Sequence, residues 1–245
     1  MMRPVRGLDH GEASATGGRT LEMFADTPRL NAWMYAQLAE RVRGDVLEVG
    51  SGIGNLSRFI AEDAQSCVLT DMEESYVARL EQKFAGNERV RAVRWALGDD
   101  PPEAIASRAF DAIVAVNVIE HVEDDAGACR TLASLLRPGG HLLAYVPSCP
   151  FAYGTLDEAL GHYRRYTRGG FEGLLAGAGL EVVESRRMNP LGLPGWLLNG
   201  RLLRKRVLPA RQVALFDRMV WLARIIDRLP IPVGLGVVAH AVRRS

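Results

Sequence analysis

The run Glu48-Val49-Gly50-Ser51-Gly52-Ile53-Gly54 sets three glycines at alternate positions behind an acidic residue. Glycine reaches backbone conformations that other residues avoid, and it lets a ligand approach the main chain closely. Such a turn, leading from a strand into a helix, offers N–H groups to a nucleotide. Spacing narrows the choice of nucleotide. A dinucleotide fingerprint requires G-x-G-x-x-G, but the third glycine is replaced by Asn55 when counting from Gly50 and by Ser57 when counting from Gly52. No Lys-Ser or Lys-Thr pair follows, which argues against a P-loop. Asp71 ends the next apolar run, seventeen residues beyond Gly54. A carboxylate there can accept hydrogen bonds from both hydroxyls of a ribose. Its alternative role is to cap the following helix.

Two histidines stand where acid–base chemistry could occur. His121 follows Glu120, and His162 lies in Gly161-His162-Tyr163-Arg164-Arg165-Tyr166-Thr167. A histidine within reach of an acidic proton can act as general base, whereas a structural histidine only satisfies its neighbours. Arg165 and Tyr166 suit an anionic or polyhydroxylated molecule. The competing reading has Thr167 capping a helix with the aromatic residues packed beneath it. Tyr153 and Trp196 are further candidates for contact with a substrate. The three cysteines, Cys67, Cys129 and Cys149, form no CxxC pair, so neither a zinc site nor a disulfide framework is suggested.

The glycine run is one of several motifs that occur in order. Leu97-Gly98-Asp99-Asp100-Pro101, the segment Phe110 to Val122 with Glu120-His121 near its end, and Leu135-Leu136-Arg137-Pro138-Gly139-Gly140-His141-Leu142-Leu143 follow it. In combination, over about residues 40–190, the sequence resembles the class I S-adenosylmethionine-dependent methyltransferases. The resemblance implies S-adenosyl-L-methionine as cofactor and S-adenosyl-L-homocysteine as product. The cofactor would be held by Glu48, Gly50, Ser51, Gly52, Gly54, Asn55, Asp71, Met72, Leu97, Gly98, Asp99, Asn117 and Val118. Asn117-Val118 stands where adenine- and glutamine-directed members carry an Asn-Pro-Pro-Tyr type of motif, so a small-molecule acceptor is expected. The turn at His162 is similar to an H-x-R-x-(Y/F)-(T/S) segment that borders the acceptor pocket in many small-molecule members. On this reading His162, His121 and Tyr166 are the catalytic candidates, and Tyr153, Arg165 and Trp196 bind the acceptor. Methyl transfer from a sulfonium is an in-line displacement governed by positioning, and no metal is expected. The tail resembles a bacterial subgroup linked to glycan or lipid-linked sugar assembly. The acceptor classes implied are a sugar, a natural product or a lipid-linked intermediate. The alternative is a membrane-associated cofactor-binding partner of a glycan-assembly enzyme, without turnover of its own.

Periodicity supplies the elements that would position these residues. Apolar runs at 46–50, 66–70, 90–97, 110–116, 141–146, 180–187 and 234–242 read as strands. Helical spacing is found over 20–43, 55–61, 73–85, 123–136, 167–178 and most of 195–228. Thr27-Pro28 marks a helix start. Strand–helix alternation of this kind predicts an α/β, Rossmann-like sheet of seven mostly parallel strands, the last antiparallel, with helices on both faces. Residues 1–19 read as a flexible leader, and 20–245 as a single domain carrying a helical cap over 188–233.

Hydrophobic residues make up 48% and charged residues 24% of the chain, a soluble globular balance. The net charge of +1 conceals an asymmetry: residues 191–245 carry ten Arg or Lys and two acids, a net of +8, which leaves about −7 for the rest. A basic segment of this kind suits an anionic partner. Peripheral membrane contact through 195–232 is therefore expected, on the inner face of a membrane for an otherwise cytoplasmic protein. Nucleic acid is not expected, because no aromatic residues interleave with the basic ones in a recognisable binding motif.

Overall fold

The apolar runs become strands, and side chains alternate between the two faces of one sheet. The computed structural model describes residues 10–244. Its strands are β1 (Asp45–Val49), β2 (Ser66–Asp71), β3 (Val90–Arg94), β4 (Phe110–Val116), β5 (Leu136–Pro147), β6 (Leu180–Met188) and β7 (Gly236–Arg243). They lie in the order β3-β2-β1-β4-β5-β7-β6. The first five pair in parallel, and β7 runs antiparallel between β5 and β6. The seven-stranded, mostly parallel arrangement with β7 reversed is the one the strand–helix alternation implies.

Ten α-helices are described: α1 (His10–Ala25), α2 (Pro28–Ala36), α3 (Ser57–Asp63), α4 (Glu74–Lys83), α5 (Glu103–Ala106), α6 (Asp125–Leu135), α7 (Thr155–Leu160), α8 (Arg168–Gly177), α9 (Gly192–Leu197) and α10 (Ala210–Ile226). One sheet face buries Leu47, Ile113, Leu142 and Ala144 against Leu132 of α6 and Phe171 and Leu175 of α8. The other buries Val46, Leu69, Val114 and Leu143 against Trp33, Ile60, Leu80 and Val220 from α2, α3, α4 and α10. Burying both faces is what makes the central strands apolar throughout.

Several boundaries differ from the sequence reading: β5 begins at Leu136 rather than 141 and β3 ends at Arg94 rather than 97, and three further differences have a local reason. The helix expected over 20–43 is divided between α1 and α2. Thr27 precedes Pro28 as anticipated, but its hydroxyl donates back to the Phe24 carbonyl at 2.8 Å, which closes a turn between the two helices. Residues 10–19, read as flexible leader, belong to α1, while residues 1–9 lie outside the described residues. The helix expected from Asn55 begins at Ser57, because Asn55 turns its amide onto the Leu21 carbonyl of α1 at 3.0 Å.

The 188–233 insertion is helical, as expected, and comprises α9, a π-helical turn over Leu198–Leu202, and α10. Both of its acids are used for docking. Asp217 is buried and accepts the Leu30 N–H at the start of α2 at 2.8 Å. Asp227 accepts the Asn189 N–H at 2.7 Å and pairs with Arg186 of β6 at 2.9 Å.

Candidate active site

The order of the sheet reverses between β1 and β4: the chain runs outward from β1 to β3 on one side and from β4 toward β6 on the other. A crevice forms at the carboxyl ends of strands at such a switch point, and ligands of open α/β sheets bind there. The glycine run leaves β1 at this point. Gly50, Gly52 and Gly54 have φ of 69°, 53° and 79°, in the left-handed region. A Cβ at Gly50 would lie 2.4 Å from Val118, so this glycine lets the loop pack against the segment after β4. A Cβ at Gly52 would lie 2.9 Å from Leu21 of α1, which covers the loop.

Asp71 ends β2 beside this loop. Its Oδ2 accepts the Gly52 N–H at 2.8 Å and its Oδ1 accepts the Glu73 N–H at 3.0 Å. A carboxylate offers about four lone-pair sites, so each oxygen keeps capacity for a ribose hydroxyl. Met72, next in sequence, is 57% exposed and offers apolar surface at the same strand end. Ser51 is buried and its N–H donates to the Thr70 carbonyl at 2.8 Å. Glu48 is buried in β1 and accepts a hydrogen bond from Ser57 Oγ, and burial pushes its carboxyl up to about 7. Asn117 and Asp99 are exposed, Leu97 and Val118 half-buried. Asn117 adopts φ of 54°, and Gly98, at φ of 118°, turns the backbone after β3. This set fits an adenosyl ligand: a carboxylate with acceptor capacity to spare, an exposed apolar residue beside it, and a glycine loop open to close approach.

A second cluster stands beyond the end of β4. Glu120 and His121 lie in the 3-10 turn Ile119–His121, and the Glu120 carbonyl accepts the Tyr163 N–H at 2.9 Å, which brings the His162 turn alongside. The rings of His121 and His162 meet edge to face with centroids 4.7 Å apart. His162 is buried, and its Nδ1 lies 3.0 Å from Asp157 Oδ1. Burial pushes the His162 imidazole below its ordinary value, against the pull of Asp157. Glu120 is wholly buried, and neither of its carboxylate oxygens has a hydrogen-bond partner. Loss of hydration pushes its carboxyl up to about 8.

Asp157, which no sequence pattern singled out, joins the cluster together. Its Oδ1 also accepts Arg165 Nε at 2.7 Å, and its Oδ2 accepts the Gly154 N–H at 3.0 Å and Trp196 Nε1 at 3.2 Å. Arg165 Nη1 donates to the Ser148 carbonyl at 2.9 Å, and its guanidinium stacks 4.6 Å from the Trp196 ring centre. Arg165, read from sequence as acceptor-binding, is thus buried as scaffold. Tyr166 stands apart from the histidines in chemistry: its ring packs in the core, and its hydroxyl donates to Asp125 at 2.9 Å. Tyr153 donates from its hydroxyl to the His162 carbonyl at 2.8 Å. The fold brings together His121, His162, Tyr153 and Trp196, each a candidate by sequence. Sequence reading passed over the roles of Glu120 and Asp157, for which the Glu-His pair and the Asp-x-x-x-x-His spacing were the available signals.

A doubly wound fold with a glycine loop and, beside it, an acid ending β2 at the switch point is the arrangement of nucleotide-binding α/β proteins. Comparison with known proteins narrows this class. A methyltransferase domain family matches residues 47–142. A Mycolicibacterium smegmatis protein named for S-adenosylmethionine-dependent methyl transfer is 33% identical over 181 residues, 69% of this chain and 66% of the relative. A ubiquinone biosynthesis O-methyltransferase of Cronobacter sakazakii is 30% identical over 125 residues, 49% of this chain and 50% of the relative. The chain therefore spans between about half and two thirds of the length of these relatives. In fold it is similar to an S-adenosylmethionine-dependent methyltransferase from Mesorhizobium loti, with a TM-score of 0.59 at 18% identity, covering 85% of this chain and 94% of that one. The chain belongs to the class I S-adenosylmethionine-dependent methyltransferases.

Proposed function

We propose that this protein transfers the methyl group of S-adenosyl-L-methionine to a small-molecule acceptor that enters beside Glu120, His121 and His162. The observation that carries the reading is the adjacency of two sites: Val118, against which Gly50 of the cofactor loop packs, is two residues from Glu120. The cofactor supplies an electrophilic methyl group on a sulfonium. A bond forms between acceptor heteroatom and methyl carbon while the carbon–sulfur bond breaks, and the acceptor proton passes to a base or to water. Without a bound metal ion, His162 and His121 are the bases beside the acceptor's entrance. The reaction domain covers 20–245, with 188–233 as its cap.

The acceptor class proposed is a sugar, a natural product or a lipid-linked intermediate, and the cap favours the last. Exposed Leu198, Leu202, Leu203, Leu215, Trp221 and Ile225 lie among exposed Arg201, Arg204, Arg211, Arg218 and Arg224. Apolar and basic side chains together suit the surface of an anionic bilayer. No helix among the described residues is long and apolar enough to cross a membrane, so contact of this kind would be peripheral.

The test is a thermal-shift scan followed by transfer of labelled methyl to fractionated cell extracts. A ligand at one hundred times its Kd adds about 2.7 kcal/mol of stability. The expected result is stabilisation by S-adenosylmethionine and S-adenosylhomocysteine but not by NAD, and label recovered in a small or lipid-soluble product. Stabilisation by NAD alone, or label recovered only in protein or nucleic acid, overturns the reading.

A further inference from the structure

We propose that Glu120, His121 and His162 bind a divalent metal ion of borderline character, of the Zn2+ or Co2+ kind. One ligand atom from each lies within 4.8 Å of the others, and His162 Nε2 is 3.9 Å from Glu120 Oε1. Donors around one ion at bond lengths of about 2.0–2.2 Å stand some 3–3.5 Å apart, so small rotations of the side chains close the set.

The orphaned carboxylate is the strongest reason. Buried polar groups nearly always have partners, and an exception calls for a missing water or ion. Both oxygens of Glu120 are such exceptions, in a side chain with no solvent exposure. Protein groups nearby do not meet this need. Arg165, a cation close to the cluster, is committed to Asp157 and the Ser148 carbonyl.

The surroundings match those of a metal centre. A ligating histidine usually donates its second ring nitrogen to a carboxylate or a carbonyl, which fixes its tautomer. His162 meets Asp157 through Nδ1, leaving Nε2 toward Glu120. Asp157 is itself held by Gly154, Arg165 and Trp196, so this outer support is rigid. Two imidazoles with one carboxylate favour a borderline ion over Mg2+, which prefers oxygen donors. Three protein ligands leave coordination positions open, and exposed His121 places them on the solvent side. The use of those positions, holding an acceptor oxygen and easing loss of its proton, rests on the methyl-transfer reading. Binding of the ion does not.

The experiment titrates Co2+ into tag-free, chelator-treated protein without cofactor or acceptor, and follows visible absorption and bound metal. The expected result is one Co2+ per chain with ligand-field bands of mixed nitrogen and oxygen donors, displaced by Zn2+ and not by Mg2+. His121→Ala should abolish binding with an unchanged circular dichroism spectrum, and Glu120→Gln should weaken it at least ten-fold. His240→Ala, which breaks the separate His141–His240 contact, should leave binding intact. Absence of Co2+ and Zn2+ binding overturns the proposal. So does binding that survives both His121→Ala and Glu120→Gln, or that is lost in His240→Ala. Failure of methyl transfer with metal bound would fall on the acceptor reading alone.

Discussion

Glu120 is the residue whose environment asks most of its chemistry. A carboxyl buried without partners is destabilised when ionised, so its pKa rises. With folded values of about 8 for Glu120 and about 7 for Glu48, against 4.5 unfolded, the native state holds protons that the unfolded chain has released. The unfolded state then binds fewer protons, and stability falls as pH rises through that range. Metal-free Glu120→Gln should match wild type only near about pH 4 and melt at an increasingly higher temperature than wild type as pH rises toward about 8. Equal melting curves for both proteins at pH 9 would show that ionising Glu120 costs the fold nothing. At the loop, Gly52→Val places a β-branched side chain at φ of 53° and into Leu21. Left-handed strain alone costs about 1–3 kcal/mol. The expected outcome is loss of S-adenosylhomocysteine binding by calorimetry in a protein that still folds, and retained affinity would remove Gly52 from the cofactor site.

Two elements touch the site from outside the sheet. Helix α1 lies across the glycine loop: Leu21 sits over Gly52, Asn55 binds the Leu21 carbonyl, and Glu22 pairs with Arg79 of α4. It also packs against α7, on the side of the histidine cluster. A helix in contact with both halves of the site stands where a lid would stand. Leu21→Ala is expected to speed release of S-adenosylhomocysteine by about ten-fold, equivalent to 1.4 kcal/mol, measured by stopped-flow fluorescence. An unchanged rate would mean that ligands pass elsewhere. The cap reaches the chemistry through α9, where Trp196 donates to Asp157. Trp196→Phe keeps the ring over Arg165 and removes this hydrogen bond. Turnover should fall a few-fold with cofactor affinity intact, whereas weaker cofactor binding would place Trp196 on the other side of the site.

At the scale of the whole molecule, charge is separated between body and tail. The two acids of residues 191–245 are turned inward to dock α10, so the tail shows solvent mainly arginine and large apolar residues. Leu202 is 74% exposed and Trp221 63%. Each basic residue near an anionic bilayer contributes about 1 kcal/mol, screened by salt. Co-sedimentation with phosphatidylglycerol vesicles should exceed that with phosphatidylcholine, weaken with salt, and drop in a Leu202→Glu/Trp221→Glu variant. Equal binding to both lipids, or none, would redirect attention to a protein partner for this face.

Much of the molecule was legible from residue order alone. Strand positions, the parallel sheet with a reversed final strand, the glycine loop and Asp71 are set by periodicity and short-range spacing, which act within one element and its turn. The start of α2 at Pro28 was legible in the Thr27-Pro28 pair, but not the separate helix that precedes it. That helix, which covers the loop, was hidden: α1 is held by long-range contacts with Asn55, Gly52 and Arg79, and its own Gly17-Gly18 pair argues against a helix. Chemistry of the second cluster was decided only in three dimensions. His121 and His162 are 41 residues apart, and the turn after β4 must meet the segment after β5 before their rings touch. Whether Glu120 is a solvated surface acid or a buried, unpaired one depends on that packing. Sequence carries the identity of a side chain and its local period, but its hydration, and so its pKa and ligand chemistry, belongs to the fold.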